Sequence, residues 1–299
     1  MKTDIYDRIT ARIVEDLERG VRPWEKPWSV EHAAGRITRP LRSNGIPYRG
    51  INVLMLWAAA VAEGYAVPIW ITFRQAQELG AHVRKGERGN LVVYASSITT
   101  SETDPDTGTE EEREIPFLKG YTVFNAEQVE GLPEHFYAKP APRLETLQRN
   151  DRAEAFFAGT GATIRHGGGM AAYSMADDII RMPPFEAFRD AEAYYATLTH
   201  EATHWTKHPN RLAREFGRKR WGDEGYAMEE LVAELGAAFL SADLDLTPEP
   251  REDHAAYIAS WLKVLKGDNR AIFTAAAHAQ RAADFLNGRA TAGTHEAVA

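Results

Sequence analysis

His200-Glu201-Ala202-Thr203-His204 holds the residues of this chain best spaced for chemistry. The pattern H-E-x-x-H acquires meaning on a helix. Four residues make just over one turn, so His200 and His204 project from one face and can reach one metal ion. Glu201, one position on, can direct its carboxylate at a water in the metal's open position. Zinc held by two histidines and a third protein ligand lowers its bound water's pKa to about 7, and the glutamate can take that proton. The chain has no cysteine, so thiolate ligands and disulfides are excluded and the metal must sit on histidine and carboxylate.

Two stretches compete to supply the third ligand. His208 extends the four-residue spacing, but Pro209 follows and a ligand there would point along the helix axis beyond the metal. Tyr226-Ala227-Met228-Glu229-Glu230-Leu231-Val232-Ala233-Glu234 is the stronger candidate. Glu230 and Glu234 lie one turn apart, so one can bind the metal while the other hydrogen-bonds a ligand histidine. Glu229, about 100° around the helix from Glu230, is the rival ligand.

The elements that must position these groups are legible from periodicity. Ala191, Tyr194, Tyr195, Leu198 and Ala202 recur at three- and four-residue steps, which predicts an amphipathic helix over 190–206 that Pro209 cannot let continue. A second helix is expected from Tyr226 to about Ser241, with Leu231, Leu235, Ala238 and Phe239 inward. Helices at 151–158, 251–266 and 269–287 and short strands at 162–165, 171–175 and 178–182 complete this half. Gly167-Gly168-Gly169 reads as a turn and His166 beside it as a surface residue.

Upstream, Ile5, Ile9, Ile13 and Leu17 predict a helix over 4–19, and 52–62 reads as a buried helix. Strands are expected at 68–73, 91–98 and 117–124, with a short helix between Thr72 and Gly80. Residues 83–89 read as a basic turn. The polar stretch 99–114, with its Glu110-Glu111-Glu112 run, reads as a mobile loop. Lys139-Pro140-Ala141-Pro142-Arg143 is the best linker. The fold class is therefore α+β. A small mixed α/β unit spans 1–137, a linker 138–150, and a mainly helical unit with a small sheet 151–288, leaving a frayed tail at 289–299.

The formal net charge of −8 hides an asymmetry. Residues 1–100 carry 14 Lys and Arg against 10 Asp and Glu, while the remaining 199 carry 21 against 33. Two units with different partners are expected. In the N-terminal unit, rings and cations interleave in irregular segments: Trp24, Lys26 and Trp28; Arg39 and Arg42; Tyr48 and Arg49; Arg84 and Lys85. That is a composition single-stranded DNA needs, because bases stack on rings while cations follow the backbone; composition alone equally allows these rings to be core and these cations a solvated face. Trp57 and Trp70, inside apolar runs, read instead as core. No run approaches the length of a membrane span, and Asp4, Asp7, Glu15 and Asp16 interrupt any signal-peptide layout. A soluble, cytoplasmic protein without membrane partners is expected.

Two resemblances follow from these residues. The second glutamate motif after H-E-x-x-H is similar to that of the gluzincin branch of zinc metallopeptidases. The resemblance implies Glu230 as ligand and Glu234 behind it, with Glu where many members have Asp. Glu201 would then activate water and Tyr226 could stabilise the oxyanion. Across both halves the chain resembles the ArdC antirestriction proteins of conjugative plasmids. The resemblance rests on Pro23-Trp24-Glu25-Lys26-Pro27-Trp28, Pro47-Tyr48-Arg49-Gly50-Ile51-Asn52, Trp70-Ile71-Thr72-Phe73, Val83-Arg84-Lys85-Gly86-Glu87, Val123-Phe124-Asn125-Ala126-Glu127-Gln128 and Tyr226 through Leu240. It implies a single-stranded-DNA-binding domain, similar to one in TraC-type primases, joined to a zincin-like domain. The implied cofactor is Zn2+, with Mn2+ or Co2+ as alternatives. The implied role is protection of incoming plasmid DNA from host restriction endonucleases, with a host restriction enzyme or other host protein as a further partner. An ordinary cytoplasmic peptidase, and a DNA-coating protein with a vestigial metal fold, are the competing readings.

Overall fold

Ile9, Ile13 and Leu17 recur at four-residue steps and bury one side of the first helix, α1 (Ile5–Glu18), which turns off at Gly20. The computed structural model describes residues 4–22, 24, 38–103, 110–138, 150–217, 223–246 and 254–296. The expected linker, 139–149, lies outside the described residues, as do Lys26 and Trp28. Next comes β1 (Leu41–Arg42), then α2 (Ile51–Glu63), apolar on nearly every side and buried accordingly. β2 (Ile69–Ile71) leads into α3 (Phe73–Glu78), started by a reciprocal capping box between Thr72 and Gln75. β3 (His82–Val83) pairs with β6 (Val129–Glu130).

Between them runs a long antiparallel hairpin of β4 (Asn90–Thr103) and β5 (Glu110–Asn125), paired without a break from Asn90↔Val123 to Thr103↔Glu110. The loop expected over 99–114 is thus a correction. Strand pairing continues through its polar residues, and only 104–109 fall outside the described structure. Polarity suggests a loop here, yet Thr99, Thr100 and Thr103 are β-branched residues that strands favour. The sheet order is β1-β2-β5-β4, so β4 is an edge strand. Asn52 of α2 covers part of that edge, donating from its amide to the Val93 carbonyl (2.8 Å) and accepting from the Val93 N–H (2.7 Å).

In the second half, α4 (Asp151–Thr160) is capped by Asn150, and β7 (Thr163–His166), β8 (Ala172–Ser174) and β9 (Ile179–Met182) form a sheet of order β7-β9-β8. Four helices follow: α5 (Ala191–Trp205), α6 (Glu224–Leu244), α7 (His254–Gly267) and α8 (Ala271–Glu296). The expected fraying after Gly288 is a second correction, because α8 stays helical to Glu296. Its Ala290 backbone lies so close to α4 that a Cβ on Gly159 would meet the Ala290 carbonyl oxygen at 2.8 Å. Among the described residues no helix is long and apolar enough to cross a membrane.

The two units read from the sequence share one hydrophobic core. Ile13, Leu54 and Trp57 belong to the same buried cluster as Leu231, Phe239 and Trp261. Trp57 meets Phe239 at 5.9 Å between ring centroids, and Trp24 meets Trp261 at 6.1 Å. Polar contacts follow the same seam. Thr10 donates to the Asn269 carbonyl (2.6 Å), and Gln280 of α8 accepts from Arg39 and from the Gly50 N–H, both at 3.1 Å. A smaller second cluster gathers Val67, Ile71, Ala126 and Phe136 beneath β2 and β6.

Candidate metal centre

Two helices carry the centre, and both begin at side-chain caps. Asp190 accepts the Ala193 N–H at the start of α5, and Asp223 accepts the Tyr226 N–H at the start of α6, each at 2.8 Å. They approach closely because α6 has glycine at the crossing. A Cβ on Gly236 would lie 2.5 Å from the Thr203 methyl of α5. Gly236→Ala is therefore expected to overpack the crossing, costing about 1–3 kcal/mol; chemical denaturation would read it, and unchanged stability would count against this close packing.

His200, His204 and Glu230 converge. One ligand atom from each lies within 4.8 Å of the others, and all three residues are buried. Nε2 of His200 stands 3.5 Å from one Glu230 oxygen, and Nε2 of His204 stands 3.4 Å from the other. The opposite ring nitrogens are also faced by carboxylates. Glu234 Oε1 is 3.3 Å from His200 Nδ1, and Glu229 Oε1 is 2.9 Å from His204 Nδ1. Of the two rival carboxylates, Glu230 thus sits on the shared Nε2 side and Glu229 behind His204. Two imidazoles with Nε2 atoms turned to one carboxylate, one Nδ1 bonded to Glu229 and the other, buried and without a hydrogen bond, facing Glu234, are a donor set that fits a divalent metal ion.

The electrostatics reflect this crowding. Burial alone would raise the Glu230 carboxyl, but the hydrogen bonds and charges of His200 and His204 hold it well below the usual carboxylate range. For Glu229 burial also opposes ionisation, and bonds from Arg214 and His204 bring it down to about 2. Burial pulls His204 down, yet Glu229 and Glu230 push it up to about 9.

Glu201 points to the sheet side of the centre. Its carboxylate accepts the backbone N–H of Tyr173 on β8 at 2.8 Å. That strand is anchored in turn: the Tyr173 hydroxyl donates to Asp178 (2.9 Å), and Arg211 bonds both Asp178 and Tyr173. Burial and the Asp178 bond raise the Tyr173 hydroxyl to about 12, while Arg211 lowers the Asp178 carboxyl. Arg211 also lies 3.9 Å from the Trp205 ring centroid, tying the end of α5 to β8.

Tyr226 stands differently from an oxyanion donor. Its hydroxyl bonds Glu230 and lies 3.0 Å from the Tyr257 hydroxyl, and burial with those neighbours raises its pKa. One turn before Glu230 on α6, it orients that carboxylate. His208 stands apart from the convergent set, its Nδ1 accepting the Asn210 N–H at 3.2 Å. His166 pairs with the Tyr194 hydroxyl at 2.8 Å.

The side chains expected on a DNA surface are mostly committed elsewhere. Trp24 is buried against Trp261 and Tyr48 is buried with Arg42 over its ring. Arg39 is interior, forking onto Asp243 at 2.8 and 3.0 Å with its guanidinium 4.4 Å from the Phe239 centroid. For Trp24, Tyr48 and Arg39 the reading as exposed contacts is corrected. Composition cannot tell a cation at a surface from one that closes an internal seam. Arg42, Arg49, Arg84 and Lys85 are exposed, Arg49 pairing there with Asp284 of α8 and Arg84 with Glu87.

Two family models match in tandem. Residues 3–124 match the N-terminal domain of anti-restriction factor ArdC, and residues 151–278 match a zincin-like metallopeptidase. The crystal structure of the metal-free antirestriction ArdC protein from plasmid R388 is 48% identical, covers 97% of this chain and 98% of its own, and superposes with a TM-score of 0.82. The chain belongs to the ArdC antirestriction family. The Mn(II)-bound structure of the same R388 protein aligns at 46% identity with a TM-score of 0.79, over 96% of this chain and 98% of that one. An uncharacterized protein of Sinorhizobium fredii (strain NBRC 101917 / NGR234), y4eC, is 47% identical over 96% of this chain and 92% of its own length. DNA primase TraC of Escherichia coli is 39% identical over 96% of this chain, which spans 27% of TraC's length.

One residue of this ArdC-family centre escaped the sequence reading. Arg214, in the loop after α5, is fully buried and forks onto Glu229 at 2.7 and 2.9 Å. It also donates to the Thr203 carbonyl and the Thr206 hydroxyl, each at 3.0 Å. Arg214 holds Glu229, and Glu229 holds His204. Arg214→Ala takes from the buried Glu229 its two-pronged cationic partner and leaves it only His204 and the more distant Lys207, so a loss of up to about 3–5 kcal/mol is expected, with metal affinity falling about 10- to 100-fold. Denaturation and calorimetric metal titration check the two together; a variant that binds metal normally would break the chain of positioning.

Proposed function

We propose that this chain is an antirestriction protein that binds single-stranded DNA and carries a metal-dependent peptidase centre. The observation that carries the second part is the buried convergence of His200, His204 and Glu230 with Glu201 beside them. Zinc is the favoured ion, with manganese or cobalt able to occupy the same nitrogen–oxygen set; the R388 relative is described as Mn(II)-bound. When bound, the ion would polarise a substrate carbonyl and lower the pKa of a coordinated water.

The chain's own residues supply the rest. His200, His204 and Glu230 would hold the ion. Glu229 holds the His204 imidazole through Nδ1, Glu234 stands 3.3 Å from His200 Nδ1, and Tyr226 keeps Glu230 turned toward them. Glu201, fixed by the Tyr173 N–H, accepts a proton from the attacking water and returns it to the leaving amine. A host restriction enzyme or other host protein is the class of peptide substrate that fits the antirestriction role.

Single-strand binding is supported by the basic N-terminal balance, the match to the ArdC N-terminal domain and the likeness to part of a DNA primase. Protection of incoming DNA places the protein in the cytoplasm. The rival reading is a cytoplasmic metallopeptidase whose N-terminal region selects protein substrates. Anisotropy of a labelled oligothymidylate, titrated with the full chain across a salt series, separates the two. The proposal predicts affinity that falls with salt at a log–log slope of about −0.7 per phosphate contacted. No binding at low salt would favour substrate selection. A recipient cell expressing the chain should also keep more incoming plasmid under restriction than one without it.

A further inference from the structure

Outward-facing rings cluster on one face of the β4–β5 hairpin, away from the metal centre. Strand register puts Val92 opposite Tyr121, Tyr94 opposite Lys119 and Ser96 opposite Phe117, so these six side chains share one face. The neighbouring face carries Leu91, Val93 and Leu118, which pack on the core. Val92, at the inner end of the ring face, is buried in the core as well, but the rings beyond it meet solvent: Tyr94 is 54% exposed, Tyr121 41% and Phe117 36%. Ile115 extends the patch and is exposed as well. Four of the large exposed apolar side chains of the described residues thus gather on one ribbon, which ordinary surface scatter does not produce.

Charge selects the occupant. Lys119 sits in the middle of the rings, with Tyr94 directly across and Phe117 and Tyr121 two residues away on its own strand. Its ammonium lies 5.1 Å from the Tyr121 centroid, and Tyr94 and Phe117 approach each other at 6.4 Å, tilted by 57° rather than stacked. Neither ring closes off the other, so a planar group can lie on each. From the Val92–Tyr121 pair to the Ser96–Phe117 pair this face carries no carboxylate, while Glu114 falls on the opposite face. Three exposed rings around one cation, with no carboxylate among them between the Val92–Tyr121 and Ser96–Phe117 pairs, match an anionic chain bearing aromatic bases. An apolar protein surface would have no use for the central ammonium.

We propose that the outer face of this hairpin, built on Tyr94, Phe117, Lys119 and Tyr121, is a stacking platform for single-stranded nucleic acid. The inference rests on the single-strand reading above and moves its contacts from the proline–tryptophan loop, whose Trp24 is interior, to the hairpin. The alternation Phe117-x-Lys119-x-Tyr121 is visible in the sequence once the register is known.

The test uses the full chain and a fluorescein-labelled oligothymidylate at low salt. Tyr94→Ala and Phe117→Ala are each expected to weaken binding about 5- to 100-fold, while Tyr94→Phe keeps the wild-type affinity. Lys119→Ala should make the log–log salt slope shallower by about 0.7. Phe73→Ala, which removes an equally exposed ring on α3, serves as the control and should change nothing. Unchanged calorimetric metal binding shows that each variant is folded. If wild type binds and the alanine variants bind equally well, the platform is overturned and the single-strand reading survives. If wild type does not bind, both fail. If Phe117→Ala instead converts a dimer to a monomer by light scattering with DNA affinity intact, the face belongs to a second copy and the proposal is overturned.

Discussion

Glu230→Gln is expected to abolish high-affinity divalent metal binding. The carboxylate is the anionic member of the set and the group that both Nε2 atoms face, at 3.5 and 3.4 Å. An amide offers one neutral oxygen where the carboxylate offers two charged ones. The loss should exceed the roughly 10- to 100-fold that removal of an orienting partner costs. A folded-state ligand at 100 times its Kd adds about 2.7 kcal/mol of stability. Wild type should therefore show a clear rise in melting temperature on adding Zn2+ or Mn2+, and Glu230→Gln none at the same concentration. Glu229→Gln should retain binding at reduced affinity, because Glu229 reaches the metal only through His204. Equal affinities for the two variants would reverse their roles.

Phe239→Ala is expected to cost about 3–5 kcal/mol, a large share of the roughly 5–15 kcal/mol that holds a typical domain together. The ring is fully buried on α6, the helix that carries Glu229, Glu230 and Glu234, and it touches Trp57 and Arg39 from the first half of the chain. Its loss should therefore loosen both halves together. Tryptophan fluorescence, circular dichroism and metal binding should report one coincident unfolding transition, shifted as a unit. Two separated transitions, with only one shifted, would show that residues 1–137 fold on their own. The same packing implies that a fragment ending at 137 exposes Leu54 and Trp57 to water and is poorly stable.

The parts legible in the sequence were those with a period. Helix α5 announced itself through Tyr194, Leu198 and Ala202, and α6 through Leu231, Leu235 and Phe239; both lie within a few residues of the expected bounds. The short helix expected between Thr72 and Gly80 likewise lies there, as Phe73–Glu78. What escaped depends on contacts far apart in the chain. Arg214 has no pattern around it, and its value arises only because α6 brings Glu229 beside it. Arg39 looked like a surface cation because Asp243, more than two hundred residues on, could not be anticipated as its partner. Polar strands resemble loops by composition, so the outer part of β4 and β5 reads as a loop, while the ring-bearing part lies in the strands expected at 91–98 and 117–124 and only the pairing register shows that its rings share a face. The proline-rich linker suggests separable units, while the core is continuous because Trp24 packs on Trp261 of α7 and Trp57 of α2 on Phe239 of α6.

The most direct test of the hydrolytic centre is cleavage of a complex peptide library by the full chain loaded with Zn2+ or Mn2+, with new amino termini read by mass spectrometry. Glu201→Gln is run alongside at matched metal occupancy. The account predicts new termini with wild type, none after chelation, and none with Glu201→Gln, although that variant still binds metal and single-stranded DNA. Cleavage by Glu201→Gln at the wild-type rate, or no cleavage by the metal-loaded wild type, would contradict it.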